Sequence, residues 1–125
     1  MADPVIGSNI VRYAQGGIDV TAAGGSITGN TVQHGRHFAN NSSLGLALSG
    51  GDSIEVSGNT VSDFDAGVLA DGGASGHDIH DNDFRGNHTR DCEDQTTGSG
   101  SQHTDSTWTH DLGKTASPTG ICKLP

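Results

Sequence analysis

The chain is 125 residues long, which suits one domain, and only 30% of it is hydrophobic and 4% aromatic, too lean for a core closed between two conventional layers. Its formal net charge of −9, with thirteen Asp and two Glu against six Lys and Arg, leaves no basic stripe for nucleic acid. No apolar run nears the ~18 residues that would cross a membrane.

In chain order, the first element is Ile6-Gly-Ser-Asn9-Ile-Val11, an apolar residue three places before an Asn and another two places after it. Gly17-Ile-Asp-Val20 follows. The second unit reads Ile27-Thr-Gly-Asn30-Thr-Val32 and, past a longer insertion, Gly45-Leu-Ala-Leu48. The third reads Val56-Ser-Gly-Asn59-Thr-Val61 and Gly67-Val-Leu-Ala70. The fourth is Ile79-His-Asp-Asn82-Asp-Phe84, with Asp91-Cys-Glu-Asp94 in the second place. The fifth, degraded, is Trp108-Thr-His-Asp111-Leu-Gly113 with Gly120-Ile-Cys-Lys123. The anchors lie 21, 29, 23 and 29 residues apart, a spacing that means stacked supersecondary units. Each unit predicts strand, Asn corner, strand, variable loop, strand, because the segments are short, β-branched and bounded by Gly, Ser, Asn and Asp. No stretch has sustained helical periodicity.

This repeat, apolar-x-Gly-Asn-x-apolar over nearly the whole chain, resembles the right-handed parallel β-helix, the pectate-lyase-like family. The tail from Asp91-Cys92 through Ser106-Thr-Trp108-Thr to Ser117-Pro-Thr-Gly-Ile-Cys122 resembles the closing coils of secreted bacterial β-helix proteins. The expected fold is an all-β solenoid of about five coils forming one domain over residues 1–125, either alone or as the C-terminal portion of a longer β-helix. Three internal columns are predicted: Ile6, Ile27, Val56, Ile79 and Trp108; Val11, Val32, Val61 and Phe84; and Ile18, Leu46, Val68, Cys92 and Ile121. Asn9, Asn30, Asn59, Asn82 and Asp111 should stack as a ladder at one corner, where Asn tolerates left-handed backbone. Cys92 and Cys122 fall one place apart on adjacent coils and read as a disulfide staple, which would indicate an oxidising compartment. A reactive thiol pair would want a closer spacing. The first coil has no cap, so its open edge predicts either further coils or a homo-oligomer. The opening Met-Ala-Asp-Pro lacks the regions of a secretory signal, yet the resemblance places the protein outside the cell.

Alternation assigns the outward side chains. With Ile79 inward, Asp78 and His80 face water, and Glu55 should stand beside Asp78 at about 5 Å along the stack. Two carboxylates so placed repel, which suits an acid–base pair. Asp83 and Arg85 should face outward after the corner, with Asp63 and Asp65 nearby. The resemblance implies that such a face acts on or binds a polysaccharide. Glu55, Asp78, His80 and Arg85 are then the candidates for lyase, epimerase or glycosidase chemistry, and Asp63, Asp65, Asp83, Arg36 and His37 for holding substrate. The Asp cluster is a candidate Ca2+ site. The rival reading is a non-catalytic carbohydrate-binding or structural module of a larger secreted or phage-spike protein. A third is a small cytoplasmic enzyme on another substrate. Insertions around Gly35–Leu44 and Gln95–Thr107 add Phe38, Arg90 and His103 as possible ligand contacts. The pairs His34/His37 and His77/His80 put their members on opposite strand faces, which disfavours either as a metal pair. Asn87-His-Thr89 fits a glycosylation acceptor.

Overall fold

The computed structural model describes residues 4–35 and 43–125. The first coil contains β1 (Val5–Gly7), β2 (Ile10–Arg12) and β3 (Gly16–Val20). The second contains β4 (Ser26–Thr28), β5 (Thr31–Gln33) and β6 (Leu44–Leu48), and the third β7 (Glu55–Ser57), β8 (Thr60–Ser62) and β9 (Ala66–Ala70). The fourth has β10 (Asp78–His80) and β11 (Arg90–Asp94), and the fifth β12 (Thr107–Thr109) and β13 (Ala116–Ser117). Corresponding strands stack into three walls, β1-β4-β7-β10-β12, β2-β5-β8 and β3-β6-β9-β11-β13, and every pairing is parallel. The second wall continues as single bridges through Asp83, Leu112 and Lys123. The result is a right-handed parallel β-helix with five strand levels and about four complete turns.

The inward columns lie in register. Ile6, Ile27, Val56, Ile79 and Trp108 are successive partners in the first wall, and Val11, Val32 and Val61 in the second. Phe84 is fully buried beyond them and meets Trp108 edge-on. The third column runs Ile18, Leu46, Val68, Cys92 and then Ala116, not the expected Ile121. The carboxylate of buried Asp91 explains the difference. Its Oδ2 accepts the amides of Lys114 (2.7 Å) and Thr115 (3.2 Å), which draws the chain onto the third wall directly after Gly113. Ile121 is instead buried in a closing tail, where Cys122 is bonded to Cys92.

Close approach of the second and third walls demands glycine. A Cβ at Gly45 would lie 2.3 Å from Val61 Cγ1 and 2.8 Å from the Gly67 carbonyl oxygen. The Asn ladder is continuous: the Oδ1 of Asn30, Asn59, Asn82 and Asp111 each accepts the backbone N–H and the side-chain amide of the rung before it. The left-handed residue is not the Asn but its predecessor: Ser8, Gly29, Gly58, Asp81 and His110 have φ between 56° and 67°. That residue turns the corner, and the Asn side chain then fastens the turn to its neighbours. Asn87 is used in the same way at another corner. Its amide donates to the carbonyls of Val61 and Phe84 and its Oδ1 accepts the Phe64 N–H, so the glycosylation-like triplet is spent on structure.

Burial fades at the first coil. Val56, Val61 and Val68 are sealed by a coil on either side, whereas Ile6, Val11 and Ile18 are only partly buried. Val5, Ile10 and Tyr13, which point away from the core, are exposed.

Candidate functional site

The first wall puts Glu55 and Asp78 directly opposite one another on adjacent coils and places His80 two residues along the same outward row. Residues two apart on a strand share a face. The imidazole of His80 leans back across the coil boundary, bringing Nε2 to 2.9 Å from Glu55 Oε2, while Nδ1 lies 2.8 Å from Asp81 Oδ2. Among the described residues, Glu55, Asp78 and His80 are the group whose donor atoms all lie within 4.8 Å of one another. A groove of about 300 Å3, lined in part by Asn59, Thr60, Asp81, Asp83 and His110, adjoins this cluster through Asp81, the hydrogen-bond partner of His80.

The electrostatics follow from that geometry. Hydrogen bonds to Asp81 first and Glu55 second favour the imidazolium, raising the His80 pKa to about 9. At neutral pH the ring is therefore a cation held between carboxylates, and it offsets the repulsion that pairing Glu55 with Asp78 would otherwise create. His77 is its opposite. It is buried, its Nδ1 accepts the Ile54 N–H, and burial lowers its pKa, so it stays neutral on the inner side of the strand end. The two histidines do face opposite ways.

The other candidates are dispersed. Asp83 and Arg85 sit on the second wall as a bidentate pair, Nε to Oδ1 at 2.9 Å and Nη2 to Oδ2 at 2.8 Å, and the guanidinium holds the Asp83 carboxyl below the usual range. Asp63 occupies a left-handed corner, φ 64°, where its two oxygens meet His34 Nδ1 (3.2 Å) and His88 Nε2 (2.7 Å). Tyr13 stacks on His34 at that corner. Asp65, a candidate for holding substrate near the corner, is instead buried and accepts both the N–H and the hydroxyl of Ser43. The corner at Asp63 breaks the two-residue alternation, so the next carboxylate turns inward. Arg90 lies at the C-terminal end, and His103 in a short turn over Ser101–His103. Arg36, His37 and Phe38 lie outside the described residues. Sequence reasoning missed Asp81. Its signal was the place before the ladder Asn, a left-handed position that swings its side chain out beside His80.

The donor set can be matched to metals. One imidazole nitrogen and two carboxylates suit a borderline divalent ion such as Cu2+, which takes N and O ligands. Ca2+, the expected cation, prefers six to eight oxygens, and a nitrogen donor departs from that shell. A Cu+ site would want sulfur, but both cysteines are in the disulfide. His80 also has a feature common to ligating histidines: the nitrogen that does not face the cluster is fixed by a carboxylate, that of Asp81.

The sequence model of a family described as periplasmic copper-binding protein (NosD) matches residues 2–117. No curated protein and no solved structure matches the chain.

Proposed function

The chain belongs to the NosD family, and from that premise we propose that it works outside the cytoplasm, with Glu55, Asp78 and His80 capturing a divalent copper ion on the outer face of the third and fourth coils. The observation that carries this reading is the convergence of one imidazole and two carboxylates from adjacent coils to within 4.8 Å. Rigid stacked strands hold the three donors, so little ordering is needed on binding. His80 must give up a proton to offer Nε2, and Asp81 keeps Nδ1 oriented while it does so. Capture should therefore strengthen as pH rises toward the His80 pKa of about 9. The ion, once held, supplies a strongly polarising centre at the surface.

The test is a Cu2+ titration against a competing chelator, with electron paramagnetic resonance reporting the ligands. One equivalent with a nitrogen-and-oxygen signature is expected. His80→Ala should abolish it, and Ca2+ should not compete. Undiminished binding in a Glu55→Gln, Asp78→Asn, His80→Ala triple variant would overturn the assignment.

A second reading has the same face hold a uronic-acid polymer, for lyase or epimerase turnover or for binding alone as a module of a larger secreted protein. It draws on the hydroxyl-rich outward rows beside the cluster, Ser26, Thr28, Ser57, Thr107 and Thr109. Within that reading, binding is favoured over turnover. A proton-abstracting group must be in its deprotonated form, yet His80 carries its proton at neutral pH and Arg85 is a guanidinium committed to Asp83, which leaves only the carboxylates as bases. Release of an unsaturated product from uronate polymers would reverse that preference.

A further inference from the structure

The chain carries six Lys and Arg in all. Three of them, Arg90, Lys114 and Lys123, line one cleft of about 800 Å3 at the C-terminal end, and no Asp or Glu is among its lining residues. On a molecule with a formal charge of −9, half of the cations thus ring a hollow that no Asp or Glu lines. None of the three forms a side-chain ion pair among the described residues. The hydroxyls of Thr89, Thr115 and Thr119 add hydrogen-bonding groups to the same walls.

The walls are held in place. Arg90 begins β11, whose Cys92 and Glu93 pair with Ala116 and Ser117 of β13. The backbone amides of Lys114 and Thr115 are bonded to Asp91 Oδ2, and Lys123 is bridged to Leu112 and follows the disulfide-bonded Cys122. Nearby carboxylates are turned to other work. The charge of Asp91 is buried and taken up by the N–H groups of Asn87, Lys114 and Thr115, and Glu93 accepts from Gln95. Three unpaired cations on rigid backbone, with hydroxyls between them, are complementary to oxyanions. The volume is that of a small-molecule pocket.

We propose that this cleft binds a small ligand carrying two or more oxyanion groups (carboxylate, sulfate or phosphate), at a site distinct from the Glu55–Asp78–His80 face. The ligand's charges are met by Arg90, Lys114 and Lys123, and neutral parts of it rest on the threonines. Because the cations project from the third wall and the tail, occupancy here leaves the first-wall cluster unaltered.

The test is calorimetric titration of the full chain with three probes: trigalacturonate, a disulfated disaccharide and inorganic pyrophosphate. Maltotriose serves as the uncharged control. Binding of at least one anion is expected, weakening as salt is raised, and the probe that binds best identifies which oxyanion the site takes. Lys114→Gln and Lys123→Gln should each weaken it roughly five- to tenfold, as loss of a charge-assisted bond at an open site does. With additive losses the double variant should bind a further roughly five- to tenfold more weakly than either single variant. An intact disulfide and unchanged circular dichroism would show that the variants fold. Failure of all three anions to bind, or equal binding by the double variant, would overturn the proposal. Cu2+ titration of the same variants separates this result from the cation site, since their copper binding should match the unmodified chain.

Discussion

The fifth rung of the corner ladder is an aspartate where the other four are asparagines, and replacing it tests the physics of the whole column. In the regular rungs the side-chain amide also donates to the carbonyl of the first-wall core residue one coil earlier: Asn30 to Ile6 (3.0 Å), Asn59 to Ile27 (2.9 Å) and Asn82 to Val56 (2.9 Å). Continuing the pattern, residue 111 should donate to Ile79, but a carboxylate has no proton to give. Asp111 Oδ1 accepts from Asn82 as the ladder requires, while Oδ2 is buried without a partner. Burial raises the Asp111 pKa to about 6, well above the ordinary carboxyl value. A folded-state pKa above the unfolded one means that the charged form is disfavoured on folding. The penalty is full above pH 6, shrinks as pH falls, and is gone below the unfolded value near 4. A shift of that size corresponds to at most about 3 kcal/mol at neutral pH. Asp111→Asn removes this penalty and adds a hydrogen bond worth about 1 kcal/mol. We therefore expect Asp111→Asn to stabilise the protein by up to about 4 kcal/mol at pH 7.5, and by no more than about 2 kcal/mol at pH 4.5, where roughly a third of the penalty remains. Paired calorimetric melts of the two chains at both pH values measure the difference directly. A destabilised variant at pH 7.5, or an equal gain at both pH values, would refute the reasoning.

Other perturbations follow from the same geometry. Asp81→Asn should weaken Cu2+ binding by roughly 10- to 100-fold, the usual effect of removing a carboxylate behind a ligating histidine, read from chelator competition. Gly45→Ala should cost about 1–3 kcal/mol in chemical denaturation, because the added methyl meets Val61 and the Gly67 carbonyl at distances no side chain tolerates. Reducing the Cys92–Cys122 bridge, which spans 30 positions, should cost roughly 3–4 kcal/mol by loop entropy and lower the melting temperature accordingly. At the other end, among the described residues, β1, β2 and β3 are the terminal strands of the three sheets, beside exposed Val5, Ile10 and Tyr13. Sedimentation should show concentration-dependent self-association that Ile10→Lys suppresses.

What the amino-acid order determined by itself was the column structure. A coil buries its side chains only against the coils above and below, so the apolar-x-x-Asn-x-apolar phrase has to recur wherever the chain comes round. The phrase therefore located Ile27, Val56, Ile79 and the ladder asparagines to the residue. The same two-residue alternation placed Glu55, Asp78 and His80 on one outward patch. Its reach ended where the backbone turns left-handed or the spacing varies, because no period survives those points. Asp65 was thus read as a substrate contact although it is buried on Ser43, and Ala116 rather than Ile121 took the last place in the third column. Only the folded chain decided how side chains bridge between coils. It set His80 between Glu55 and Asp81, bound Arg85 to Asp83, and gathered Arg90, Lys114 and Lys123 around one cleft. Register along the stack is a local property written in every repeat, whereas those meetings depend on loops of unequal length returning to the same place.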